Sequence, residues 1–259
     1  MNYKTETVEV KGSQVAFVTI QTNEQNSFTR DNLLEFEALM EELKMNGEIR
    51  AVVITSENEK FFSNGVDARN IIATPRERLA EEMGQIVRFF DYLATWEKPL
   101  IAEVGGYAMG GGAVVAMGCD YVYMLAGKGR MSFTEVFFGI PLPGSVVEKT
   151  KMRARPHAIN DIIYGGVFKA PEAHAAGLVH EIAEDRDALR KLVIKKLEKI
   201  LQVPTSAFAA TKRALHRQLV ASIDEHARDL TASFDDPVIM GNLLEAMSAL
   251  KEKRRPKFQ

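Results

Sequence analysis

One cysteine, Cys119, occurs in 259 residues, so no intrachain disulfide can form and no cysteine cluster can hold zinc. A lone thiol suits a reducing compartment. An excess of one charge is missing as well: 33 Lys and Arg stand against 35 Asp and Glu, a net charge of -2. Proteins devoted to nucleic acid usually carry a strong basic excess, so this balance argues against such a partner. There is no G-x-x-x-x-G-K-[ST] loop, no G-x-S-x-G elbow and no H-E-x-x-H pair. The five histidines (His157, His174, His180, His216, His226) lack ligand spacing, so no metal site is expected. Met1–Lys11 has no apolar signal-peptide core, and Lys257-Phe258-Gln259 is not a peroxisomal tripeptide. The expected location is therefore the cytoplasm or another reducing compartment. Val104–Gly127 carries a single charge, Asp120, and superficially resembles a membrane span. Its seven glycines around a central acid suit tight backbone packing inside a water-soluble core instead, and no membrane partner is expected.

What is present is an ordinary core-forming composition, 46% hydrophobic and 26% charged, enough for one large domain with room for an appendage. Val15–Ile20, Ile49–Thr55 and Leu100–Val104 are short β-branched runs that read as strands. Between them, Leu33, Phe36, Met40 and Leu43 recur with helical spacing, and Asn46-Gly47 marks a stop. Leu79, Met83, Ile86, Phe90 and Leu93 predict a second helix over Arg76–Ala94. Strand alternating with helix implies an α/β layered fold. Tyr121–Leu125 and Met131–Phe133 read as further strands, after which the pattern turns helical. Amphipathic stretches cover Thr205–Leu215, Val220–Thr231 and Pro237–Lys251, with Pro204 at a helix start. Such late helices either pack on another subunit or cover their own domain. The expected division is a core over 1–200 and a helical oligomerisation region over 201–259.

Three segments could carry chemistry. Phe61-Phe62-Ser63-Asn64-Gly65-Val66-Asp67 follows one strand, and Gly105-Gly106-Tyr107-Ala108-Met109-Gly110-Gly111-Gly112 follows the next. Glycine in such turns permits positive φ and leaves amides unshielded. Two of them from adjacent strands can aim two N–H groups at one point, as an oxyanion or enolate requires. Close helix–strand packing is the other use of a triple glycine. In the third segment Glu135 is flanked by Phe133, Phe137 and Phe138. Burial among them would raise its pKa toward the range of a general base, whereas a surface turn would leave it an ordinary carboxylate.

In this order and spacing, over nearly the whole chain, these segments resemble the crotonase (enoyl-CoA hydratase/isomerase) superfamily. Asn26-Ser27-Phe28 is similar to its N-[AS] segment, Phe62–Asp67 to its F-[SA]-x-G-x-D loop, and Gly106–Gly112 with Cys119-Asp120 to its G-x-x-x-G-G-G turn. Gly165 through Ala170-Pro171-Glu172-Ala173 to Gly177-Leu178-Val179 resembles a further family signature. The resemblance implies a spiral of ββα repeats with a C-terminal helical trimerisation region. It also implies an acyl-CoA thioester as substrate, with coenzyme A as part of that substrate and no separate cofactor. The backbone amides of Val66 and Gly111 would form the oxyanion hole. Ser63, Gly65, Asp67 and Gly110 would serve substrate binding, with Asp67 bracing its loop. Glu135 would be the catalytic base.

One departure is informative. Family hydratases carry a glutamate three residues after the middle glycine, where this chain has Val114. That replacement, the Glu135-x-x-x-Gly139-Ile140-Pro141-Leu142-Pro143 segment and Val203-Pro204 with Ala210-Thr211-Lys212 resemble the 3,2-trans-enoyl-CoA isomerases of fatty-acid β-oxidation. Hydratase-like, hydrolase or decarboxylase chemistry on the same fold remains open. So does a non-catalytic CoA- or RNA-binding homologue, for which Lys149–Arg155 and Lys251–Arg255 are the basic runs. A homotrimer or a dimer of trimers is the expected assembly.

Overall fold

In the computed structural model, which describes all residues from Met1 to Gln259, the alternating N-terminus forms β1 (Tyr3–Val10). It turns through Lys11 and Gly12, both at positive φ, into the antiparallel β2 (Ser13–Ile20). Positive φ at both turn residues gives the tight hairpin a twist that matches its strands. Helix α1 (Arg30–Met45) follows, opened by a reciprocal capping box between Thr29 and Asn32.

The chain then repeats one motif three times: a strand, a second short strand, and helix. The first pass is β3 (Ile49–Thr55), β4 (Phe61–Ser63), α2 (Ala68–Ala73) and α3 (Arg76–Ala94). The second is β5 (Leu100–Val104), β6 (Tyr107–Met109) and α4 (Gly111–Gly118). The third is β7 (Tyr121–Leu125), β8 (Arg130–Ser132), a 3₁₀ turn over Glu135–Phe138, and α5 (Gly144–Arg153). Each pass adds one strand to a six-stranded sheet and one to a four-stranded sheet, which is the ββα spiral. In the first two passes, hydropathy alone reads the long strand as running straight into a glycine turn. The structure inserts β4 and β6, whose three residues are too few for a period to register.

The chain continues through α6 (Ile159–Ile163), β9 (Phe168–Lys169), α7 (Ala170–Ala175), β10 (Glu181–Ala183) and α8 (Arg186–Ile200). It ends with α9 (Thr205–Leu215), α10 (Arg217–Asp235) and α11 (Pro237–Glu252). The large sheet runs β1-β2-β3-β5-β7-β10, parallel from β2 onward, and the small one β4-β6-β8-β9.

Residues on β3 and β5 alternate between two cores. Val52, Ile54, Leu100 and Ala102 face the main core beneath α1, α3 and α4, whereas Ala51, Val53 and Ile101 face α8. Parallel strands buried on both faces explain why these runs are apolar throughout. Of the late helices, α10 packs on α3 and α5, and α11 on α2 and the 3₁₀ turn, so both cover their own chain. Val203, Leu215 and Val220 around α9 and the start of α10 are exposed apolar residues. No helix is long and apolar enough to cross a membrane, and Val104–Gly127 is divided among β5, β6, α4 and β7.

Candidate active site

The loop after β4 is held from beneath by Asn26-Ser27-Phe28. Buried Asn26 donates through Nδ2 to Ser56 Oγ (2.8 Å) and to the Phe62 carbonyl (3.2 Å). Ser63 Oγ donates to the Asn26 carbonyl at 2.6 Å and accepts from Gly65 N at 3.1 Å. Phe28 then pairs with Val66 as a parallel bridge, its N–H donating to the Gly65 carbonyl and its carbonyl accepting from Asp67 N. Asp67 Oδ1 accepts from Arg69 N at 2.8 Å and Asn70 N at 3.3 Å, capping α2. Asp67 is thus occupied as a brace. In this register the Val66 amide donates to no backbone carbonyl.

The second turn meets the first at the glycines. Gly65 sits at φ +79°, and a Cβ there would lie 2.7 Å from the Met109 carbonyl oxygen and 2.8 Å from Gly111 N. Only glycine allows the two turns to touch this way. Gly111 is the first residue of α4, so its N–H has no intrahelical acceptor and lies at the positive end of the helix dipole. Gly112 packs directly on the Ser63 backbone, so the triple glycine serves both donor exposure and close packing.

Glu135 comes to this point from the start of the 3₁₀ turn. Its Oε1 lies 3.6 Å from where a Cβ on Gly110 would stand. The residue as a whole is half-buried, but Oε2 is sealed from solvent and has no hydrogen-bond partner. Desolvation pushes the carboxyl up to about 7, opposed in part by its own backbone amide. Of the flanking aromatics, Phe133 is buried and Phe138 partly so, whereas Phe137 points outward.

Val66, Gly110, Gly111 and Glu135 line one cleft of about 470 Å³. Its apolar wall comes from Ile72, Met83, Phe138, Ile140, Met247 and Leu250, and its polar rim includes Gln25, Asn64, Arg69 and Lys251. The other carboxylates in the wall are Asp67, committed to its cap, and Glu24, exposed. Ser63 and Gly65 do not line the cleft; they shape the loop beneath it. Val114 is buried, one turn into α4, against a small void behind the helix.

Sequence reasoning missed the share of α11 in this cleft. Met247, Leu250 and Lys251 reach it because α11 approaches the 3₁₀ turn closely: a Cβ on Gly139 would lie 2.5 Å from Asn242 Cβ. The Lys149–Arg155 run is a basic face only in part: Lys151 and Arg155 are exposed, but two of its basic residues turn inward. Lys149 is 5% exposed, and Arg153 is turned onto the Cys119 and Asp120 carbonyls. In the second run, Arg254 is paired with Glu245 and Glu252.

The family model described as Enoyl-CoA hydratase/isomerase matches residues 10–259. The chain is 30% identical over 249 residues to a short-chain-enoyl-CoA hydratase of Clostridium acetobutylicum, covering 95% of this chain and 94% of that one. It is 27% identical over 239 residues to the crotonyl-CoA hydratase of Syntrophomonas wolfei, covering 90% and 89%. Among solved structures, human mitochondrial delta3-delta2-enoyl-CoA isomerase aligns with a TM-score of 0.86 at 20% identity, over 98% of this chain and 99% of that one. The enoyl-CoA hydratase of Bacillus halodurans aligns with a TM-score of 0.81 at 19% identity, over 96% and 100%. At those identities the structural likenesses speak for the fold alone.

Proposed function

The chain belongs to the enoyl-CoA hydratase/isomerase family, a crotonase-type enoyl-CoA enzyme, and from that premise we propose that it moves a double bond from C3 to C2 of an enoyl-CoA thioester. The observation that carries this reading is Glu135: a carboxyl with an unpartnered, sealed Oε2, and no second free carboxylate deep in the cleft. Hydration needs a base for water and an acid for the other carbon, which two carboxylates supply. Isomerisation needs one group that takes a proton and gives it back.

The step balances without a co-reactant. Glu135 carboxylate removes a C2 proton, and the C2–H electron pair moves toward the thioester oxygen. The N–H groups of Val66 and Gly111 hold the resulting dienolate. The same carboxyl then returns a proton to C4, leaving the double bond between C2 and C3 in conjugation with the carbonyl. A carboxyl pushed up to about 7 exchanges protons readily near neutral pH. The apolar wall suits an acyl chain, and the Arg69 and Lys251 rim suits the anionic nucleotide end of coenzyme A. The exposed Val203, Leu215 and Val220 are assigned to subunit contact in a homotrimer, which sedimentation would read as three chains per particle.

The hydratase names of the relatives favour a second reading, hydration of a 2-enoyl-CoA with Glu135 acting alone. Product analysis separates the two. The expected outcome is conversion of a 3-enoyl-CoA to the conjugated 2-enoyl thioester with negligible hydration of a 2-enoyl-CoA. Efficient hydration without isomerisation would replace the first reading by the second, and neither activity would remove both.

A further inference from the structure

Cys119-Asp120 and the Lys212 segment play no part in the chemistry above, yet they meet in space. Lys212 Nζ lies 2.8 Å from Asp120 Oδ2, with the two side chains 3% and 13% exposed. The same Oδ2 accepts from Leu100 N, at the start of β5, at 2.9 Å. Arg153 places its guanidinium on the Cys119 and Asp120 carbonyls. The Lys149 amine is buried beside them with Nζ 3.3 Å from His216 Nε2, and burial pulls its pKa down to about 7. Two cations, one carboxylate and this amine thus gather where α4 ends.

Buried ions are costly unless each is paired or hydrogen-bonded, so this cluster calls for a reason. A helix end leaves carbonyls without partners and carries the negative pole of the dipole. Helix α4 has no side-chain cap at its start and every one of its residues is buried; there the Gly110 N–H donates to the Ser132 carbonyl and Gly112 packs on the Ser63 backbone. Its C-terminal end is where charged side chains grip it. Eight residues make a rigid rod about 12 Å long, so fixing one end fixes the other. The other end is Gly111.

We propose that Arg153 and the Lys212–Asp120 pair are positioning residues that set the place and direction of the Gly111 amide through α4. The inference rests on the reading of Gly111 as an oxyanion donor. None of the three lines the cleft, so none acts by touching substrate.

The test compares the wild type with the Asp120→Asn, Lys212→Met double variant, which removes both charges together and leaves neither ion unpaired. Arg153→Gln and Arg153→Lys form a second, independent pair. Each is assayed for kcat and KM, and for the absorbance shift of a bound cinnamoyl-type CoA thioester, whose push–pull chromophore reddens when its carbonyl is polarised. The double variant and Arg153→Gln should lower kcat roughly tenfold to a hundredfold, keep KM within about twofold and shrink the red shift. Arg153→Lys should recover most of both. A folded double variant, or an Arg153→Gln protein, with wild-type kcat and wild-type red shift would overturn the inference. A wild-type protein that produces no red shift would instead overturn the oxyanion reading. If the double variant does not fold, the Arg153 pair decides alone.

Discussion

The two ends of α4 each face a carboxyl group shut away from water, and the protein treats them in opposite ways. At the C-terminal end Asp120 is given a lysine, a backbone amide and the Arg153 guanidinium nearby. At the N-terminal end Glu135 Oε2 is given nothing, and its pKa climbs to about 7. A satisfied carboxylate holds structure in place and is chemically idle. A deprived one stores a proton affinity that a substrate can use. The difference lies in the partners supplied, since both groups are removed from solvent.

Three measurements would break or sharpen that contrast. The largest effect is expected from Glu135→Gln, which keeps the shape and removes the base. Turnover should fall on the order of a thousandfold or more while acyl-CoA binding, read by calorimetry, persists. Undiminished turnover would move the chemistry elsewhere. Next comes Asp120→Ala, which strands Lys212 as a buried ion without its counter-charge. Denaturant unfolding should register a loss of about 3–5 kcal/mol. A loss no larger than for a surface site would mean that Asp120 is as dispensable as an exposed salt bridge.

The smallest effect has the opposite sign. The pKa of Glu135 is raised in the fold, so between about 4.5 and about 7 the unfolded chain is ionised while the folded one holds its proton. Stability therefore declines as pH rises through that window, and the full penalty is present above it. Glu135→Gln should be more stable than the wild type by roughly 3 kcal/mol at pH 8 and equal to it at pH 4. The same titration should make kcat/KM of the wild type rise with pH through about 7. Equal stability of the two proteins at pH 8 would show that Glu135 is not strained.

Much of this was legible in the sequence, and the exceptions have physical causes. Strands β3, β5 and β7 and helix α3 lie at the residues their hydropathy marks, because long elements repeat their period several times. Strands β4 and β6 were not visible, since three residues carry no period. The Glu135 environment could be suspected from its aromatic neighbours, although Phe137 turned out to face solvent. The inward turn of Lys149 and Arg153 was hidden because charge is ordinarily a surface signal. Only tertiary structure reveals that a helix end on a neighbouring element was waiting to receive them. The share of α11 in the cleft was likewise invisible, being a meeting of residues more than a hundred positions apart.

The contact between Gly65 and Gly111 has a consequence for how such a protein can vary. Every coding change at Gly65 adds at least one carbon atom into a gap of 2.7 Å, so this position tolerates no gradual exploration. In the oxyanion hole we propose, Val66, one residue on, lends only its main-chain N–H, so its side chain can be exchanged with that donor left in place. On that proposal a lineage could reshape the wall of the cleft step by step while the device that steadies the negative charge stayed fixed, because that device has almost no side chain to alter.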